Sequence, residues 1–229
     1  MSIRRLPEFR KFVGAFTEPG SQRWGSTDNF SRWLECCWSF LNAIVDRDGF
    51  RTTLAAYSAE EGADVARIFF EEYIPLAEAA DWEDVLGPTW MDISGGQQGH
   101  GQTFTPWEVA SSMARMNVHD ALPEIRRRHE SGEAFTVCDP CCGSGVTLLA
   151  FADALRSAAG GTQYHDTIRY YGQDIDRRCV WMTRIQLRVN GLYVVGRSLR
   201  LASGLFPAPR AVGPQPRLFT PAEPIRRAG

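Results

Sequence analysis

An acid, three cysteines and two glycines fall within one short stretch of the sequence, VCDPCCGSGVTLL, at residues 137–149. Residue types at this spacing are typical of three kinds of site: a zinc knuckle, a dithiol redox pair, or a turn that binds a cofactor. Asp139 comes before the turn, Gly143 and Gly145 lie within it, and an apolar run with helical spacing follows. Each alternative requires different residues elsewhere in the chain.

The zinc and redox alternatives lack the further residues that they require. Cys138 and Cys141 have zinc-knuckle spacing, but a structural zinc takes about four ligands, and neither Cys36-Cys37 nor His165 supplies a second matching pair. A thioredoxin-type pair places both thiols at a helix N-terminus, whereas we expect Cys138 to lie inside a strand with its side chain packed. We therefore predict no metal site and favour the third alternative.

The cofactor alternative accounts for more of these residues. An acid at the end of a strand, a glycine turn and a helix N-terminus form a niche at the carboxyl edge of an open α/β sheet, where ligands bind. The turn lacks the Lys-Ser/Thr of a P-loop and the glycine spacing of a dinucleotide fold, so a triphosphate or NAD fits poorly. Asp174 ends the next predicted strand, a place from which a carboxylate can bind ribose hydroxyls. Turn and acid together indicate a nucleoside ligand.

The pattern around the turn predicts alternating strands and helices. Phe135–Asp139 and residues 168–175 are predicted strands, Val146–Ala158 is a predicted helix, and RRCVWMTRIQLRVNGL is a second helix ending near Gly191. Strand, helix, strand, helix indicates a parallel sheet. The stretch LYVVGRSLRLA, residues 192–202, is a candidate third strand.

A further helix start is predicted just before this unit. In TPWE, Thr105 is placed as N-cap, Pro106 as the first helical residue and Glu108 as the partner that completes a capping box.

The rest of the chain divides by pattern. Residues 27–80 carry apolar side chains at helical spacing, among them Phe30, Trp33 and Leu34. The stretch DISGGQQGHGQ is a glycine-rich, polar linker that we expect to be mobile, and the proline-rich C-terminal stretch cannot continue a sheet. We predict a helical N-terminal domain at 1–95, an α/β domain at 96–206 and a disordered tail at 207–229.

Composition narrows the class of protein. A chain of 229 residues that is 44% hydrophobic can bury a core. Its formal charge of -2 gives no overall basic field, so contact with nucleic acid requires a local patch or a partner chain. No apolar run is long enough to span a bilayer, and the start, MSIRRLPEFRKF, lacks a signal-peptide core. We expect a cytoplasmic protein with reduced thiols and no membrane partner.

Four motifs occur in order between about residues 80 and 195: DVLG at 84–87, GQTFTPWEVA at 101–110, DPCCGSG at 139–145 and YGQDID at 171–176. In this combination the sequence resembles the S-adenosylmethionine-dependent adenine-specific DNA methyltransferases (N-6 DNA methylases), particularly the modification subunits of type I restriction systems. The resemblance implies a Rossmann-like methyltransferase fold with a partial parallel sheet, preceded by a helical region, and S-adenosylmethionine as cofactor.

The resemblance also implies roles for individual residues. Phe104, Thr105 and Pro106 match the element that folds over the methionine end of the cofactor. Asp174 matches the ribose-binding acid and Ile175 the residue that packs against the adenine ring. The matches to the cofactor turn itself are Asp139, Pro140, Cys141, Cys142, Gly143 and Gly145. We expect only structural roles for the neighbouring Asp176 and for the cysteines Cys36, Cys37 and Cys179.

No catalytic residue is assigned. The family holds the amino group of a flipped adenine against an Asn/Asp/Ser-Pro-Pro-aromatic motif, and this sequence contains no Pro-Pro dipeptide. Ser203 and Gly204 occupy the place where the family usually has a further aspartate. A sheet that stops after three strands also leaves 135–138 as an unpaired apolar edge. We expect a partner chain or self-association to cover this edge, and DNA to be met only through a complex.

Three functions remain open. The first is the cofactor-binding part of an adenine-specific DNA methyltransferase that is inactive without another chain. The second is a non-catalytic, degenerate methyltransferase that acts as a regulatory or partner-binding module. The third, the least favoured, is a metal- or redox-binding protein built on the cysteine-rich turn.

Overall fold

The computed structural model describes residues 3–18, 26–43, 47–95, 103–160, 163–192 and 194–198. The predicted disordered tail, the predicted mobile linker beyond Gly95, Ser203 and Gly204 lie outside these residues, and the division into domains stays a prediction. Within the described residues, no helix has the length and apolar character required to cross a membrane.

Helices make up most of the described residues before the sheet. Short 3-10 turns lie at Ile3–Arg5 and Tyr164–Asp166, and a π-helical turn at Ile68–Tyr73 joins two helices. The α-helices of this part are α1 (Pro7–Thr17), α2 (Ser26–Asn42), α3 (Arg47–Ala55), α4 (Ala59–Arg67), α5 (Ile74–Ala80) and α6 (Leu86–Ile93). The helical pattern predicted for residues 27–80 is therefore confirmed for the described residues of that range.

Aromatic side chains form the core of the helical part. Phe12, Phe16, Phe30 and Trp33 are each at most 2% exposed. The ring centroids of Phe16 and Phe30 lie 5.2 Å apart in edge-to-face geometry, which favours a specific packing over a loose apolar one. Phe30 and Trp33, whose spacing predicted this helix, face into that core because they lie on one side of α2.

The second half of the chain is a parallel α/β unit, as predicted. It comprises α7 (Trp107–Ser131), β1 (Phe135–Asp139), α8 (Val146–Ala158), β2 (Ile168–Asp174), α9 (Arg177–Val189) and β3 (Val194–Ser198). The strands pair in parallel in the order β1-β2-β3, with Phe135 opposite Ile168 and Tyr170 opposite Val194. Among the residues that the structure describes, β1 pairs with β2 alone and forms one edge of the sheet.

Helix α9 joins the two halves. Cys179, Met182 and Ile185 contribute to the aromatic core of the first half. Leu187, on another side of the same helix, belongs to the separate apolar cluster formed by α7, α8 and the sheet. A helix that is buried on more than one side is held in place by both cores, and residues on it can connect them.

Candidate functional site

The turn between β1 and α8 is held by main-chain hydrogen bonds. The N–H of Cys142 donates to the carbonyl of Gln173 at 2.8 Å, which joins the turn to the end of β2. The N–H of Gly145 donates to the carbonyl of Cys142, also at 2.8 Å. Gly143 and Gly145 have φ angles of +53° and +98°, a region that side chains with a Cβ rarely adopt. The turn therefore requires glycine at both positions.

Asp139 stands at the start of this turn, at the carboxyl end of β1. One carboxylate oxygen accepts a hydrogen bond from the N–H of Cys141 at 2.9 Å. The other accepts from the hydroxyl of Thr147, in the first turn of α8. The carboxyl group thus connects the strand end to the helix start at the edge of the sheet.

Asp174 meets the same turn from the end of β2. Its Oδ2 accepts a hydrogen bond from the N–H of Gly143 at 3.0 Å, and its Oδ1 accepts from the N–H of Asp176 at 2.9 Å. Two main-chain donors thereby fix the orientation of the carboxylate. The structure brings this acid and the glycine turn together, the arrangement that we inferred from their positions in the sequence.

Asp176 has the structural role expected of it. Its carboxylate accepts from the N–H of Arg178 at 2.9 Å, which makes it the N-cap of α9, and it pairs with the guanidinium of Arg178 at 2.7 Å. Acids are favoured at this position because the helix N-terminus presents unpaired N–H groups and a partial positive charge.

The capping box predicted around Thr105 is wrong. Helix α7 begins at Trp107, Pro106 is its N-cap with ψ of 144°, and no side chain caps the helix. The extended ψ of Pro106 keeps it outside the helix, so the helical frame starts one residue later than predicted. Glu108 is then the second helical residue, rather than the third that a capping box needs.

Two apolar residues assigned by resemblance flank the turn. A Cβ added to Gly143 would lie 3.0 Å from Cδ1 of Phe104, so the phenyl ring of Phe104 already packs against the turn. Ile175, directly after Asp174, is 64% exposed, which is unusual for a side chain of its size. Half-buried Thr105 and exposed Pro106 lie between Phe104 and α7.

The three cysteines of the turn have different environments. Cys138 is exposed, and the prediction that its side chain is packed is wrong, because it points to a face of β1 that no described element covers. Cys141 is exposed, as is the neighbouring Pro140. Cys142 is buried, which raises the pKa of its thiol to about 12. The described residues bring no three His, Cys, Asp or Glu side chains together as a metal site.

Sequence reasoning missed the residues behind the turn. The hydroxyl of Thr183, on α9, lies 3.1 Å from the carbonyl oxygen of Gly143 and 3.3 Å from Sγ of Cys142. Gln186, one helical turn further along α9, is 2% exposed and contacts the same loop through the carbonyl of Ser144 at 2.8 Å. A glutamine at a buried position of an apolar helical pattern was the available signal, because buried amides require polar partners.

The fold and the site together define a class: a parallel α/β sheet with a glycine turn and two acids at its carboxyl edge. Residues 93–205, just under half of the chain, match the family model described as N-6 DNA Methylase. This part of the chain is therefore similar to the N-6 DNA methylase family, which is the family that the motifs indicated.

A solved structure is also similar to this chain: the methyltransferase subunit of a type I restriction-modification system from Streptococcus thermophilus. It is 22% identical, the match covers 88% of this chain and 41% of that subunit, and the TM-score is 0.36. The chain therefore spans about two fifths of the length of that subunit. A comparison with curated proteins found no match.

Proposed function

We propose that the chain binds S-adenosylmethionine at the edge where β1 and β2 end, and that it is the cofactor-binding part of an adenine-specific DNA methyltransferase with a Rossmann-like fold. The observation that carries the proposal is the position of Asp174, whose carboxylate is held by the N–H of Gly143 in the glycine turn. An acid fixed in this way beside such a turn suits the ribose of a nucleoside cofactor.

The carboxylate of Asp174 fits this role because it keeps unused acceptor capacity. An ionised carboxylate offers about four lone-pair sites, and the N–H groups of Gly143 and Asp176 occupy one on each oxygen. One further acceptor site remains on each oxygen, which matches the two hydroxyls of a ribose. The two main-chain donors prevent rotation of the group, so little ordering is needed when the ligand binds.

The residues around Asp174 suit the other parts of the cofactor. The exposed side chain of Ile175 offers an apolar surface to an adenine ring, and the ring of Phe104 borders the turn on the side of Gly143. Asp139 contributes a second carboxylate at the same edge. S-adenosylmethionine carries positive charge on its sulfonium and its ammonium, so the paired acids favour it electrostatically.

When bound, the cofactor supplies a methyl group activated by its positively charged sulfur. The residues of this chain bind and orient it: Asp174 holds the ribose, Asp139 the cationic end, and Phe104 with Thr105 and Pro106 borders the methionine end. The sequence has no Pro-Pro motif to hold an adenine amino group, so we propose that another chain supplies that element and the contact with DNA. Positioning both reactants is a main source of rate in such transfers.

Calorimetric titration with S-adenosylmethionine and S-adenosylhomocysteine tests the proposal. We expect both to bind, and Asp174→Asn to weaken binding by about 1.5–3 kcal/mol, the value of a hydrogen bond to a charged group. Asp176→Asn is the matched control: it removes the same charge two residues away but leaves a side chain that can cap α9, so its affinity should stay within a few-fold of wild type. Absence of heat and of any thermal shift with both ligands would refute the proposal.

A further inference from the structure

A buried polar cluster connects the helical half of the chain to the glycine turn. It consists of Asp84, Ser144 and Gln186, whose exposed fractions are 4%, 0% and 2%. The hydroxyl of Ser144 donates to Oδ2 of Asp84 at 2.5 Å, and the amide nitrogen of Gln186 donates to Oδ1 of Asp84 at 2.9 Å. Gln186 also donates to the carbonyl of Ser144 at 2.8 Å, so each member contacts the other two.

The same cluster also forms hydrogen bonds with the main chain at the start of α6. The carbonyl oxygen of the Gln186 side chain accepts hydrogen bonds from the N–H groups of Val85 and Leu86, at 2.7 and 3.1 Å. Oδ1 of Asp84 accepts from the N–H of Gly87 at 3.0 Å. These bonds satisfy N–H groups that a helix start leaves without partners in the helix. They also explain the buried carboxylate, because an ionisable group is tolerated in a core when hydrogen bonds compensate its lost solvation.

Glycine at position 87 allows the contact to be this close. A Cβ there would lie 2.3 Å from Oδ2 of Asp84 and 2.7 Å from Oγ of Ser144, distances that no side chain can occupy. The backbone of α6 is therefore pressed against the two bonded oxygens. The motif DVLG at 84–87 has a physical basis: the acid bonds to the turn, and the glycine makes room for that bond.

A second connection holds the segment just before the motif. Asp81 and Trp82 have φ angles of 43° and 78°, a conformation that costs energy for residues with a Cβ. Arg156, near the end of α8, bonds to Oδ1 of Asp81 at 3.0 Å and lies 5.0 Å from the ring centroid of Trp82. Segment 81–87 is thus attached both to the turn before α8 and to the last turns of that helix.

We propose that Asp84 and Gln186 are positioning residues for the cofactor turn and act through Ser144; this inference rests on the proposed function. Ser144 lies between Gly143 and Gly145, the two residues of the turn with the widest conformational freedom. The hydroxyl of Ser144 bonds to Asp84, and its carbonyl bonds to Gln186. Because Ser144 is fixed in this way, the glycines on either side keep the conformation that directs the N–H of Gly143 to Asp174. A turn fixed before the ligand arrives binds it more tightly than one that must be ordered.

Two measurements on Ser144→Ala and Asp84→Asn test this proposal, with Thr89→Val as the matched control. The hydroxyl of Thr89 is equally buried and donates to the carbonyl of Val85 at 2.9 Å, so its hydrogen bond stays at the start of α6. The first measurement is amide hydrogen exchange of residues 141–148 without added ligand. The second is the Kd for S-adenosylhomocysteine under conditions in which every variant is folded.

We expect Ser144→Ala to speed exchange in the turn and to weaken binding, each by about tenfold or more, as loss of a hydrogen bond to a buried carboxylate implies. Thr89→Val should lower stability and change neither measurement. The proposal fails if exchange and affinity in Ser144→Ala match those of Thr89→Val. If the wild-type chain binds neither ligand, the proposed function fails, and the exchange measurement alone still decides whether the cluster orders the turn. Ser144→Ala serves as the test if Asp84→Asn does not fold.

Discussion

Replacement of Gly145 by alanine probes the most constrained position of the turn. Two costs add at this site. Gly145 has φ of +98°, and a left-handed backbone costs a residue with a Cβ roughly 1–2 kcal/mol. The new Cβ would also lie 3.0 Å from both Cα and Oγ1 of Thr183. Because Cα is backbone, α9 itself must shift, and overpacking of this kind typically costs about 1–3 kcal/mol.

Gly132→Ala is the control that separates these two costs. Gly132 ends α7 with φ of +70°, and nothing lies within 4 Å of a Cβ placed there. Both variants lose the same glycine freedom in the unfolded chain, so this contribution cancels in the difference. We expect Gly132→Ala to lower the free energy of unfolding by about 1–2 kcal/mol and Gly145→Ala by about 1–3 kcal/mol more.

Urea unfolding followed by circular dichroism measures both free energies, with equal m-values as the check that the same surface is exposed. Equal destabilisation of the two variants would show that Thr183 yields without cost. Glycine would then be needed at 145 for its backbone conformation alone. The experiment also bears on the turn itself, since contact with α9 requires glycine there whether or not a ligand approaches.

Two further predictions concern titration and thiol reactivity. Burial lowers the pKa of His165 from 6.5 to about 4; the positive charge of Arg156 adds to this effect and Asp166 opposes it. Between these two pKa values the unfolded chain binds more protons than the folded chain. The free energy of unfolding therefore falls as the pH drops through this range. Between about pH 7 and pH 5, His165→Asn should therefore lose less free energy of unfolding than wild type, and identical losses would contradict this assignment. In the folded protein an aromatic disulfide reagent should modify Cys138 and Cys141 rapidly and the four buried cysteines only on unfolding; rapid reaction of all six would contradict the described packing.

The local sequence determined the elements next to the turn. The predicted strand Phe135–Asp139 and helix Val146–Ala158 agree with the structure to the residue, and the second strand ends one residue earlier than predicted, at Asp174. These elements were predictable because apolar periodicity and the glycines that interrupt it are properties of neighbouring residues. The position of Asp174 beside the glycine turn could also be predicted, because parallel strands place their carboxyl ends at the same edge of the sheet.

Tertiary structure alone decided what lies behind the turn and what stays exposed. Asp84 bonds to residues 60 and 102 positions away, Ser144 and Gln186, and no local pattern encodes such pairs. The exposure of Cys138 likewise depends on which elements cover each face of β1, rather than on its place in the strand. Contacts between distant segments form only when the helices pack, so the sequence could show that Asp84 belongs to a motif but not that it supports the turn through Ser144.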